Sequence, residues 1–365
     1  MDKKLKIGVI FGGKSSEKEI SLATGRYIYQ LIDPAKFESV AIFMDEKGHI
    51  WQIPDKLIIQ NTTNDIVERL KKDAKEIHFE DLKKITNVIF IALLGKYGED
   101  GSIQGLLELL GIPYTGSGIL ASALGMDKKT VRILLDYLGY RIPKGIVVSK
   151  IEFGQSQTKS KKEEIKNKIK NQIGYPCVVK PTREGSSVGV VVSHKEDELE
   201  KAFEQAFYFD NEILIEEYIK GKEFMCVVFG NDNPHAMLPT EVSFQGEIHT
   251  YDSKYMPGGA QYFTPIRVKD EIIKKIQKQA QEIYQILGLK GYGRVDGFVL
   301  NSEIYIGEVH TGTIMVPSSY VFHEVSRTKI QLKGIESKIP MTPKIWVSKI
   351  IEMALEAHKN KKGLL

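Results

Sequence analysis

Residues 178–189 read VVKPTREGSSVG: an apolar run closes on Lys180, and Gly185, Ser186, Ser187 and Gly189 follow it. Small residues at such a turn let backbone N–H groups approach an anion closely, and a lysine at the strand end places a point charge on a phosphate. The same residues also suit an ordinary hairpin with a glycine-rich turn. A P-loop is excluded, because the chain contains no G-x-x-x-x-G-K-[ST]. A second constellation joins GRVDGFV (293–299) to YIGEVH (305–310). The spacing predicts neighbouring strands of a hairpin that aim Asp296 and Glu308 at one point, as a divalent cation bridging phosphates requires. Arg294, two residues before Asp296, shares its face of the strand and suits stabilisation of developing negative charge. A salt-bridged strand pair would show the same pattern. Third, LIEEYIKGKEF (214–224) ends an apolar strand in carboxylates. That is suited to a nucleoside edge and ribose hydroxyls, and equally to an ordinary acidic strand end.

These residues need a scaffold. Residues 5–11 and 88–95 are apolar runs of the kind buried on both faces of a sheet, with a strand at 39–44 and a helix at about 20–32 between them. Alternating strand and helix patterns predict a parallel sheet with crossover helices up to about residue 120. Beyond it we expect a helix at 127–138, strands at 145–149, 176–181, 190–193, 213–219 and 224–230, and helices at about 196–209 and 270–287. A strand pair at 291–300 and 303–309 and a terminal helix at 343–359 complete the pattern. Residues 243–265 read as a long irregular segment, a length usually reserved for function.

Composition narrows the classes. A chain of 365 residues allows two or three domains. Lys and Arg number 51 against 47 Asp and Glu, a balance that argues against nucleic acid as partner. The lysines between 159 and 170 interleave with Glu163 and Glu164 and read as a solvated helix face. Cys177 and Cys226 lie in apolar strand-like runs without metal-site spacing, so buried thiols in a reducing compartment are expected. There is no apolar run of 18 residues and no signal-peptide pattern at the N-terminus, so a cytoplasmic protein without membrane attachment is expected.

Taken in order, Lys128, Lys180, the Gly/Ser loop, Glu216 to Glu223, Asp296 and Glu308 resemble the ATP-grasp ligases. Within that group the chain is similar to the D-alanine–D-alanine ligase family over most of its length. The matching stretches are FGGKSSEKEISL (11–22), GEDGSIQGLLELLGIPYTGSGILASALGMDK (98–128), VVKPTREGSSVG (178–189), LIEEYIKGKEF (214–224), DSKY (252–255) and GRVDGF (293–298). The resemblance implies an α/β and α+β chain, a Rossmann-like parallel-sheet domain (1–120) followed by the two lobes of an ATP clamp (121–212 and 213–365). It implies ATP and Mg2+ or Mn2+, two ions, as cofactors, D-alanine or a similar small amino acid as substrate, and a homodimer through the first domain.

The resemblance also implies roles. Lys128, Lys180 and Lys254 contact phosphates, and Glu184 to Ser187 form the loop that closes over them. Glu216, Glu217 and Ile219 face adenine, and Glu223 the ribose. Glu17 holds the first ammonium, with Ser186 and Tyr255 as its hydrogen-bonding partners. Arg294 stabilises the oxyanion, Ser319 binds the second carboxylate, and Asp296, Glu308 and residue 310 hold metal. Tyr255 favours an amine as second substrate and hence a dipeptide product. Four positions depart from the family pattern: His310 for asparagine, Thr313 for proline, Ile314 for glycine and Leu94 for histidine. Imidazole is a poor ligand for hard Mg2+. The departures leave three readings open: a dipeptide ligase that tolerates them, a related ligase with another amino acid or acceptor, and a weakly active nucleotide-binding homologue.

Overall fold

The run LKIGVIFG forms β1 (Leu5–Gly12), buried from Ile7 onward and flanked in parallel by β2 (Phe37–Met44) and β5 (Val88–Ile91). Two strands of three residues, β3 (Ile50–Gln52) and β4 (Lys75–Ile77), extend the far edge antiparallel, so this first sheet is mixed, with a parallel core. Helix α1 (Lys18–Leu31) packs on it through Leu22 and Ile28. Helices α2 (Ser102–Leu109), α3 (Ile119–Met126) and α4 (Lys128–Tyr137) then lead the chain into the next sheet. The computed structural model describes residues 4–154, 159–248, 259–328 and 341–362.

The second sheet is antiparallel, in the order β6 (Gly145–Ser149), β9 (Glu212–Glu217), β7 (Cys177–Pro181), β8 (Val191–Ser193). Helix α5 (Lys159–Gln172) carries the lysine run, which pairs locally, Lys168 with Glu164 at 2.9 Å and Lys166 with Glu200 at 3.3 Å. Helix α6 (Leu199–Phe207) buries Phe203 and Ala206 against this sheet.

The third sheet is also antiparallel. It contains β10 (Lys222–Phe229), a short β11 (His235–Ala236) beside it, β12 (Thr240–Phe244), β13 (Ala260–Phe263), β14 (Tyr292–Leu300) and β15 (Glu303–His310). Residues 243–265 are therefore not irregular at their ends, because Glu241 pairs with Phe263 and Phe244 with Ala260. Helix α7 (Asp270–Ile286) covers one face of the sheet with Ile272, Ile276, Ala280 and Ile283, one helical turn apart. Helices α8 (Tyr320–Arg327) and α9 (Pro343–Lys362) return to the first sheet. Trp346, Val347 and Ile350 share one core with Ile7, Val9 and Phe11. The parallel-sheet unit and the last third of the chain are thus packed as one body, which fixes the position of Glu17 relative to Arg294. Both cysteines are buried and unpaired.

Candidate active site

The three sheets surround a cleft of about 680 Å3, within the usual size for a small-ligand site. Every described candidate residue of the sequence analysis lines it. Lys254 and Tyr255 lie outside the described residues.

On the central sheet, the alternation of β7 buries Lys180 beside Glu216 of β9. The Lys180 ammonium lies 2.6 Å from Glu216 and 2.9 Å from Glu308 across the cleft. Burial opposes the Lys180 charge, but the two carboxylates outweigh it and hold its pKa above the ordinary value. Glu216 is held from its other side by Arg132 at 3.0 Å. Glu217 turns to the rim, where it accepts from the Lys144 backbone N–H at 2.8 Å. Ile219 and Glu223 line the same wall. Lys128, the first residue of α4, donates to the backbone carbonyl of Glu184, while the Glu184 carboxylate pairs with Lys96.

The loop after β7 meets the first domain. Ser186 donates to the buried carboxylate of Glu17, which sits at the N-terminus of α1. A Cβ at Gly185 would lie 2.7 Å from Glu17 Oε2, so a side chain there would have to displace that carboxylate. Ser186 and Ser187 follow in the left-handed region, at φ 48° and 60°. Non-glycine residues hold such angles where the surroundings over-determine them, commonly at ligand sites.

The third sheet supplies the opposing charges. Asp296 and Glu308 face each other in register, and Arg294 pairs with His310 one step along. The hairpin reading and the shared face of Arg294 and Asp296 follow from this pairing. Arg294 grips Asp296 with two hydrogen bonds of 2.6 Å. His310 Nε2 lies 3.4 Å from Asp296 Oδ2 and 3.4 Å from Glu308 Oε2. Burial and Arg294 push the imidazole downward, but hydrogen bonds to both carboxylates outweigh them and raise its pKa. Burial likewise pushes Glu308 upward, and Lys128, Lys180 and His310 hold it well below the ordinary carboxylate range. Among the described residues no three His, Cys, Asp or Glu side chains stand ready as a metal cage. The donor types nonetheless fit a divalent cation, because the Asp296 and Glu308 carboxylates, two hard oxygen donors, both lie 3.4 Å from His310 Nε2.

Ser319 is buried at the start of α8, and its hydroxyl accepts from the Val316 N–H at 2.9 Å. Leu94, Thr313 and Ile314 also line the cleft. Sequence reasoning did not single out Arg132, Lys96 or Tyr320, all of which contact the candidate residues directly. Arg132 had a usable signal, since it follows Lys128 by four residues and so shares its helix face.

Two antiparallel sheets closing on a cleft with lysines on one wall and carboxylates with an arginine on the other, attached to a parallel-sheet domain, are the architecture of an ATP-grasp ligase. Comparison with known proteins is more specific. Residues 6–117 match the family described as D-ala D-ala ligase N-terminus, and residues 144–338 match D-ala D-ala ligase C-terminus. A D-alanine–D-alanine ligase of Geobacillus thermodenitrificans is 34% identical over 370 residues, covering 98% of this chain and 97% of that protein. Among solved structures, the VanG D-Ala:D-Ser ligase of Enterococcus faecalis superposes with a TM-score of 0.79 at 30% identity, covering 96% of this chain and 100% of that one. The D-alanine–D-alanine ligase of Bacillus anthracis complexed with ATP does so with a TM-score of 0.70 at 30% identity, covering 99% and 100%. The chain belongs to the D-alanine–D-alanine ligase family.

Proposed function

We infer that the protein joins two D-alanines into D-alanyl-D-alanine at the expense of ATP, for peptidoglycan precursor synthesis. The observation that carries the reading is the joining of Glu17 and Ser186, Lys180 and Glu216, and Arg294 and Asp296 around one cleft in a chain of this family. Lys128 from the start of α4 and Lys180 from the central sheet hold the ATP phosphates, with Lys254 joining them and the loop Glu184 to Ser187 covering them. Glu216, Glu217 and Ile219 take the adenine end, and Glu223 the ribose.

Glu17, with Ser186 and Tyr255, holds the ammonium of the first D-alanine. A carboxylate oxygen of that D-alanine attacks the γ-phosphorus, the bond to ADP breaks, and an acyl phosphate forms. Ser319 holds the carboxylate of the second D-alanine, whose amine attacks the acyl carbon. Phosphate leaves, and the amine's proton goes to solvent or phosphate. Arg294 faces the oxygen that gains charge in this step. Closure of the Ser186 loop excludes water that would hydrolyse the acyl phosphate.

Asp296, Glu308 and His310 are the residues that would hold divalent metal, Mg2+ or Mn2+ and two ions in number, which neutralises phosphate charge when bound. We place the domain limits at residue 120 and after Glu217; a division at 212/213 would cut β9, which pairs with both β6 and β7. We further propose a homodimer through the first domain, working in the cytoplasm. Among the described residues no helix is long and apolar enough to cross a membrane.

Phosphate release from ATP over a panel of D-alanine, D-serine and D-lactate tests the reading. D-alanine-dependent release with D-alanyl-D-alanine as product is expected. Release with another acceptor alone would move the assignment to a related ligase, and nucleotide binding without turnover would leave only the fold.

A further inference from the structure

A guanidinium offers five N–H donors in a rigid fork and accepts nothing. In Arg294 the Nε and Nη2 donors run to Asp296, both at 2.6 Å, and Nη1 donates to the Tyr320 hydroxyl. The Tyr320 oxygen therefore accepts from Arg294, and its own hydrogen is available to Thr313 Oγ1, 2.9 Å away. Tyr320 and Thr313 are buried, at 6% and 4% exposure, and both line the cleft. The Tyr320 ring also packs 6.1 Å from Tyr262, and the Arg294 guanidinium carbon lies 5.2 Å from its centre. Arg294 belongs to β14, Thr313 to the segment after β15, and Tyr320 begins α8. The three side chains thus tie β14, the segment after β15 and the start of α8 together at the cleft.

Asp296 is an unreliable anchor for the guanidinium, because a carboxylate that also faces a metal must divide its oxygens between two cations. A neutral phenol does not compete for a cation in that way. We propose that Tyr320 is a positioning residue: its hydroxyl, braced by Thr313, holds the Nη1 end of Arg294 so that the uncommitted N–H groups stay aimed at the reacting acyl centre. The threonine that departs from the family's proline then gains a purpose, as the brace of a tyrosine that needs a partner for its hydrogen. This inference rests on the ligase reading above.

Tyr320→Phe removes the hydroxyl and keeps the ring. Thr313→Val removes the brace, and Thr313→Ser retains it. Steady-state phosphate release is measured with whichever amine the parent uses, alongside thermal unfolding of each variant. Tyr320→Phe should lower kcat by about 10- to 100-fold, the range for losing a hydrogen bond to a charged group, with KM for ATP and for the first amino acid changed less than about twofold. Thr313→Val should fall in the same direction by a smaller factor, and Thr313→Ser should restore kcat. The double variant Tyr320→Phe/Thr313→Val should be no slower than Tyr320→Phe alone, since the unit is already broken.

A kcat within about twofold of the parent in Tyr320→Phe, effects of the two substitutions that simply multiply, or a change in unfolding temperature alone would overturn the proposal. Should Tyr320→Phe fail to fold, the Thr313 pair decides by itself: equal kcat in Thr313→Val and Thr313→Ser overturns it. A parent active with D-serine but not D-alanine overturns the assigned acceptor and leaves the Tyr320 comparison in force with D-serine. A parent active with no amine overturns both.

Discussion

Arg132 offers a demanding test of the charge arrangement behind the cleft. It lies one helical turn beyond Lys128, and its guanidinium meets Glu216 at 3.0 Å and donates to the Pro143 carbonyl. Glu216 meets Lys180 at 2.6 Å, and Lys180 meets Glu308 at 2.9 Å. Arg132, Glu216 and Lys180 are buried, so two cations and two carboxylates alternate in a line that balances to zero. Arg132→Met keeps the stem and removes one cation. Breaking a buried pair from one side costs about 3–5 kcal/mol, because the remaining charge stays out of water without its partner. The single variant should lose that amount, read as the shift in urea unfolding followed by circular dichroism. Its KM for ATP should rise while that for D-alanine holds, because Glu216 then draws on Lys180 alone. Replacing both partners by neutral groups removes the unpaired charge, so Arg132→Met/Glu216→Gln should be more stable than Arg132→Met. A single-variant cost below about 1 kcal/mol, or costs of the two substitutions that merely add, would refute the coupling.

Two further outcomes are expected. His310→Asn should lower activity with Mn2+ relative to Mg2+, since an amide oxygen is the harder donor; an unchanged ratio in the phosphate-release assay would remove His310 from the ligands. Glu324 is fully buried in α8, with Oε2 accepting from the Val227 N–H at 2.8 Å and Oε1 without a hydrogen-bond partner among the described residues. Burial raises its pKa well above the ordinary value, and nearby Asp296 adds to the rise. The folded chain thus keeps that proton to higher pH than the unfolded chain, and stability falls as pH climbs from about 4.3 toward the raised value. Glu324→Gln should therefore unfold later than the parent at pH 7, with the difference shrinking toward pH 4; a gap that does not change with pH would contradict a protonated Glu324.

Legibility in the sequence followed range of interaction. Arg294 and Asp296 share a face because strands alternate, and Glu308 could be placed opposite because a hairpin joins it over a short span. The long apolar runs of β1 and β5 were readable for the same local reason. The pair Arg132 and Glu216 spans 84 residues, and no local rule brings an α4 side chain to β9. Strands β3 and β4 have three residues each, too few to show alternation, and exist because an edge of the first sheet accepts them. The α3 sequence ILASALGM has no polar face to mark a helix. The ends of residues 243–265 form strands because β12 and β13 find each other across the intervening segment and extend an existing sheet edge.

The same charges that identify the cleft also constrain how it fills. Lys180 cannot give its charge to a phosphate while it neutralises both Glu216 and Glu308. Transfer of Lys180 to a nucleotide leaves Glu308 beside Asp296 with one fewer cation, and two converging carboxylates demand a replacement. On the roles proposed above, a cation shared by Asp296 and Glu308 would weaken their hold on Lys180 and Arg294 and free those groups for phosphate and for the reacting oxygen. Each ligand would then remove the electrostatic obstacle to the other, so nucleotide and metal affinities are expected to rise together, by the same factor in both directions. The near-neutral balance of 51 basic and 47 acidic residues fits this design. The charge that matters is local, held in a few ion pairs that line the cleft.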